Sequence, residues 1–115
     1  MEYTAEIKNG ILVLSLKGDL IGEVKGPQLL EEVNNAINQE VVHSAIDISD
    51  VRYINSSGIG VLITILTKFR NQGGEVCIVN PSEHVQKLLI ITKLTAIFNI
   101  TANLDEAVKI LTSES

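Results

Sequence analysis

The 115-residue chain contains no tryptophan, one cysteine, one methionine and two prolines, and its aromatic residues are Tyr3, Tyr53, Phe69 and Phe98. Each scarcity excludes something. A lone Cys77 can form no internal disulfide, and its place between Val76 and Ile78 marks it as a packed thiol. His43 and His84 stand far from any cluster of Cys or carboxylates with metal-ligand spacing, so no structural or catalytic metal is expected. Nine Lys and Arg residues, scattered under a net charge of −5, leave no basic stripe for a nucleic-acid backbone. Every apolar run is interrupted well before the ~18 residues a membrane span needs, and MEYTAEIKNG has neither the basic start nor the apolar core of a signal peptide. A cytoplasmic protein without membrane insertion is expected. With 45% apolar residues and so few rings, the core must be built from Ile, Leu and Val.

The pattern along the chain is regular. Tyr3, Ala5 and Ile7 alternate with polar residues, Asn9-Gly10 follows, and Ile11 to Gly18 is strand-like again. Asn-Gly between two such runs predicts a tight hairpin, because both turn positions need positive φ. Leu30, Val33 and Ile37 recur at helical spacing between Pro27 and Asn38, which predicts a first helix with Pro27 in its first turn. A strand over His43–Ser49, a connection over Asp50–Asn55 and a second helix over Ser56–Asn71, stopped by Gly73-Gly74, come next. That helix carries apolar residues on more than one stripe and should be the most buried. A strand over Glu75–Val79, a turn at Asn80-Pro81, a Ser82-capped helix with Val85, Leu88 and Leu89, and a short strand near Phe98–Thr101 follow. Asn103 with Glu106 suggests a capping box for a final helix. The order ββαβαβαβα predicts one α/β domain over residues 1–115, with about four helices on a mixed four- to five-stranded sheet whose opening hairpin supplies an antiparallel edge.

Chemistry concentrates in Asp47–Leu66, DISDVRYINSSGIGVLITIL, where two serines and two glycines meet the start of the second helix. A helix N-terminus offers unpaired N–H groups and a positive dipole end, so a phosphate on Ser56 or Ser57 would meet donors there. It would also add about −1.5 to −2 charges to a surface of small residues suited to protein contact. The residues equally admit a plain structural reading: Ser56 caps the helix, while Gly58 and Gly60 allow close packing.

Asp47-Ile-Ser, followed by Asn55-Ser-Ser-Gly-Ile-Gly-Val, resembles the signature of the STAS domain of anti-sigma factor antagonists. The likeness runs through Gly18-Asp19-Leu20, Gly73-Gly74 and the Leu88–Phe98 stretch. It implies a partner-switching protein. In that family the unphosphorylated antagonist binds an anti-sigma factor serine kinase and so frees a sigma factor. Phosphorylation of the serine matched here by Ser56 breaks that complex until a phosphatase restores it. By the same resemblance Asn55, Ser56, Ser57, Gly58, Ile59 and Gly60 form the partner-binding segment, and nucleotide belongs to the kinase, so this chain needs no cofactor. Two positions depart from the pattern: Asn55 and Ile21 stand where acidic residues are usual. A non-switching STAS scaffold, or an accessory subunit of a lipid transporter or stress-sensing complex, is the alternative. Monomer and weak dimer both fit the sequence.

An enzyme is not expected. A nucleophile elbow needs Gly-x-Ser-x-Gly, but Ile54 and Asn55 occupy the positions two before Ser56 and Ser57. Gly58-Ile-Gly60 lacks the third glycine of a dinucleotide fingerprint, and no P-loop lysine follows.

Overall fold

The computed structural model describes residues 2–112. Strands β1 (Glu2–Lys8), β2 (Ile11–Leu20), β3 (His43–Ile54), β4 (Val76–Val79) and β5 (Asn99–Thr101) form one sheet in the order β1-β2-β3-β4-β5. β1 and β2 are antiparallel and every later neighbour pair is parallel. Helices α1 (Gly22–Asn38), α2 (Ser56–Asn71), α3 (Glu83–Ile91) and α4 (Leu104–Thr112) make the connections and end the described chain, with a single 3-10 turn at Leu94–Ala96 before β5.

Alternation along the strands divides the core in two. Leu12, Leu14, Ile46, Ile48 and Ile78 face the layer formed by α1, α2 and α3 and bury Leu29, Val33, Leu62, Ile65, Phe69, Val85 and Leu89. Ile11, Val13, Ala45, Cys77 and Val79 point the other way and are covered by Ala107 and Leu111 of α4. Three helices on one face follow from consecutive right-handed crossovers between adjacent parallel strands.

The opening hairpin forms as its turn chemistry requires, with Asn9 at φ 54° and Gly10 at φ 75°. Ser82 caps α3 through Val85 N–H at 3.3 Å, and Asn103 caps α4 through Glu106 N–H at 2.9 Å. His43 accepts a hydrogen bond from Glu75 N–H through Nδ1 at 3.0 Å, tying the start of β3 to the chain entering β4. His84 is exposed on α3.

Two expected boundaries need correction. β3 does not stop at Ser49, because Asp50–Ile54 continues it, pairing Lys17 with Asp50, Gly18 with Val51, Asp19 with Tyr53 and Leu20 with Ile54. Register shifts after Ser15 and Gly18 break the period-two pattern there, and Gly18 at φ 100° takes the backbone bend. α1 begins at Gly22, so Pro27 lies inside the helix and not in its first turn. A tertiary contact at the α1 N-terminus, described next, outweighs the local preference of proline.

Candidate functional site

Parallel β2 and β3 end side by side at Leu20 and Ile54, and the chain leaves both strands directly into helices. The N-termini of α1 and α2 therefore open at the same edge of the sheet. Asn55 joins them. Its N–H donates to the Leu20 carbonyl at 3.2 Å, holding the strand ends together, and its extended backbone (φ −87°, ψ 177°) makes it the N-cap of α2. The side-chain Oδ1 accepts from Gly58 N–H at 2.7 Å, from Ser57 Oγ at 3.1 Å and from Gly22 N–H at 3.3 Å. One amide oxygen thus serves the first turns of two helices. Ile21, the residue before α1, provides no side-chain cap, so the acceptor comes from 33 residues further along the chain.

Two glycines make this approach possible. A Cβ on Gly22 would lie 2.3 Å from the Ser57 carbonyl oxygen, and one on Gly58 would lie 2.4 Å from the Leu20 carbonyl oxygen. Gly60 differs, since a Cβ there would meet nothing within 4 Å. The close-packing role expected of both glycines therefore holds for Gly58 and not for Gly60. The capping role expected of Ser56 belongs to Asn55.

Ser56 is the first residue of α2 and is exposed, whereas Asn55 and Ser57 are half-buried and hydrogen-bonded to each other. Ile59 is half-buried against the core, and Gly60 is exposed. Tyr53, 46% exposed, stands on the strand leading into the turn, and Ile63, 38% exposed, one turn along α2. Arg52 and Asp19 pair at 3.5 Å on the solvent side of the same strand ends. The segment accordingly combines one exposed hydroxyl, an exposed glycine at Gly60 and two apolar side chains open to contact. Sequence reasoning missed Gly22 and the Leu20 carbonyl. The signal available was the glycine two residues beyond Leu20, which makes sense only once the two strand ends are known to be neighbours.

Among the described residues no group of His, Cys, Asp and Glu could hold a metal ion, and no helix is long and apolar enough to cross a membrane. Cys77 is buried in the face covered by α4, and burial first, with the Glu75 charge second, pushes its thiol up to about 11.

A family model for the STAS domain matches residues 2–107. A Thermotoga neapolitana protein provisionally named as an anti-sigma factor antagonist is 37% identical over 62 residues, 54% of this chain and 55% of that protein; the chain thus matches about half the length of such relatives. The anti-sigma F factor antagonist of Paenibacillus polymyxa is 25% identical over 114 residues, covering 97% of this chain and 93% of its own. The solved structure of the anti-sigma factor antagonist SpoIIAA in its unphosphorylated form superposes with a TM-score of 0.84 at 21% identity, over 99% of each chain, which shows a common fold.

Proposed function

The chain belongs to the STAS domain family, and from that premise we propose that it is an anti-sigma factor antagonist whose binding to an anti-sigma serine kinase is cancelled by phosphorylation of Ser56. The observation carrying this reading is the contrast within Asn55-Ser56-Ser57: the outer two side chains are engaged with each other, while the central hydroxyl is exposed at the first residue of α2. The single domain of residues 1–115 acts in the cytoplasm, without nucleic acid and without a cofactor of its own.

In the transfer step the Ser56 oxygen bonds to the γ-phosphorus of the kinase's ATP, the bond to the leaving ADP breaks, and the hydroxyl proton passes to a base of the kinase. The product carries about −1.5 to −2 charges at the positive end of α2, where the fold tolerates them. The partner surface, fitted to a neutral hydroxyl, would have to bury that charge and releases the antagonist instead. A phosphatase returns the hydroxyl. Asn55 supports one further reading, because a neutral amide stands where the family's acidic residue is usual: a STAS scaffold or transporter accessory subunit that binds without switching.

Intact-mass analysis of the protein from its own cells, before and after phosphatase, tests the modification. Calorimetry with the cognate kinase tests the switch: Ser56→Ala binds, and Ser56→Asp binds at least about tenfold more weakly, a loss of roughly 1.4 kcal/mol. Phosphate on Ser57 alone, or equal affinity of the two variants, moves the protein to the scaffold reading.

A further inference from the structure

The sheet has two unequal edges. β5, at one side, has three residues, whereas β1, at the other, has seven and pairs only with β2 among the described residues. The two-residue turn makes Lys8 and Ile11 the closing hydrogen-bonded pair, so Glu2, Thr4, Glu6 and Lys8 direct their peptide groups toward β2. Tyr3, Ala5 and Ile7 then direct theirs outward. The pattern on β2 agrees: Leu12, opposite Ile7, turns its carbonyl to β3, where Ser44 Oγ donates to it at 2.8 Å.

We propose that this edge pairs with the same edge of a second copy, antiparallel about a two-fold axis at Ala5, to give a weak closed dimer. The charge pattern selects the register. With Ala5 opposite Ala5, Glu2 of each copy faces Lys8 of the other, Thr4 faces Glu6, and Tyr3 faces Ile7. Shifting the strands by one step either way sets Glu2 against Glu6 or Glu6 against Glu6. Charges on an edge strand ordinarily discourage pairing, and here they do so in every register of useful length but one. In that register Tyr3–Ile7, Ala5–Ala5 and Ile7–Tyr3 are the hydrogen-bonded pairs, while Glu2–Lys8 falls at the position where opposed side chains approach most closely.

The apolar side of the strand agrees with this choice. Tyr3 and Ala5 pack against the core, with Tyr3 O–H donating to Glu32 at 3.1 Å, yet Ile7 on the same side is 42% exposed. Tyr3 of the second copy would cover it. α1 leaves the edge accessible, since an open groove walled by Glu32, Asn35 and Gln39 runs beside Ala5 and Ile7. A two-fold pair consumes both β1 edges and closes, while β1 against β5 would leave an edge at each end and grow without limit.

Sedimentation equilibrium of the whole chain over a wide concentration range tests the pairing. The mass should rise from 12.5 kDa toward twice that value and no further. Ala5→Pro removes an outward N–H that β2 does not use, so it should keep the native circular dichroism and stay monomeric. Lys8→Glu should weaken association about tenfold, and adding Glu2→Lys should restore it. Oxidised Ala5→Cys should cross-link, because hydrogen-bonded opposite residues bring their Cα atoms to about 5.5 Å, whereas Ile7→Cys should not. The proposal is overturned by a constant 12.5 kDa, by Ala5→Pro dimerising like the parent, by growth past the dimer, or by equal cross-linking of the two cysteine variants. If Ala5→Pro fails to fold, the Lys8→Glu and Glu2→Lys pair still decides.

Discussion

Replacing Asn55 with alanine should cost far more than the loss of an ordinary helix cap. An N-cap side chain contributes about 0.5–2 kcal/mol, and Asn55 provides that to α2 through Gly58 N–H. The same oxygen also receives Gly22 N–H, a partly buried donor at the head of a 17-residue helix, and a donor left unpaired there costs about 1–3 kcal/mol. Allowing for water reaching one of the two groups, the sum is about 2–4 kcal/mol. For a domain of this size that lowers the melting temperature by roughly 8–16 °C. Urea titration followed by far-UV circular dichroism suits a chain without tryptophan, and a slope of about 1.5 kcal/mol per molar turns the loss into a midpoint shift of roughly 1.3–2.7 M. Asn55→Asp is the companion measurement. It keeps the acceptor and places a negative charge where two positive helix ends meet, adding up to about 1 kcal/mol at neutral pH and low salt. Those helix ends would hold the new carboxyl below its unfolded value, so the gain is present above about pH 4 and disappears as pH falls through the folded pKa. A loss below about 0.5 kcal/mol for the alanine variant would refute the shared cap, because that is less than one ordinary N-cap contributes.

The neighbouring glycines should separate cleanly. Gly58→Ala, whose Cβ would meet the Leu20 carbonyl oxygen at 2.4 Å, should destabilise the domain by about 1–3 kcal/mol, whereas Gly60→Ala, facing open space, should stabilise it by about 0.5–1 kcal/mol, both by chemical denaturation. Should the proposed kinase complex form through Gly60, Gly60→Ala weakens it while the fold gains stability, a combination calorimetry and denaturation together would expose. Cys77 should resist thiol reagents until the domain unfolds, and Cys77→Ser should cost about 1–3 kcal/mol by leaving a hydroxyl in the face under α4. Because the folded thiol is pushed up to about 11, the unfolded chain loses this proton first; stability measured relative to Cys77→Ala should be flat below about pH 8.5 and fall as pH rises toward 11.

Local chemistry made the hairpin, the span of α2 and the last two caps readable in advance. Asn9-Gly10, the apolar periodicity before Gly73, Ser82 and Asn103 each act within a few residues of themselves. The second half of β3 was not readable, because register shifts scatter Val51 and Ile54, its buried residues, out of simple alternation. The start of α1 was hidden for another reason. Nothing near Ile21 signals a helix, and the acceptor that steadies its first turn arrives from Asn55 only after β2 and β3 have paired. At the start of α2 the sequence placed Ser56 at the helix entrance, where it is exposed, while the capping that one reading assigned to Ser56 is performed by Asn55. A cap shared between two helices has no one-dimensional signature.

The strand order β1-β2-β3-β4-β5 also bears on synthesis. Each strand lies beside the one made just before it, so a chain emerging from the ribosome can add strands in turn without holding a gap open for a later one. Parallel sheets are usually slow to assemble because their pairings close long loops, and here each such loop is built around one α-helix, with a short 3-10 turn added in the last. The exception is the face under α4. Ile11, Val13, Ala45, Cys77 and Val79 are laid down well before Ala107 and Leu111 arrive to cover them. A ribosome-bound chain stalled after β5 should therefore carry a nearly complete sheet with one greasy side open, the state in which chaperone capture and aggregation compete most directly with folding.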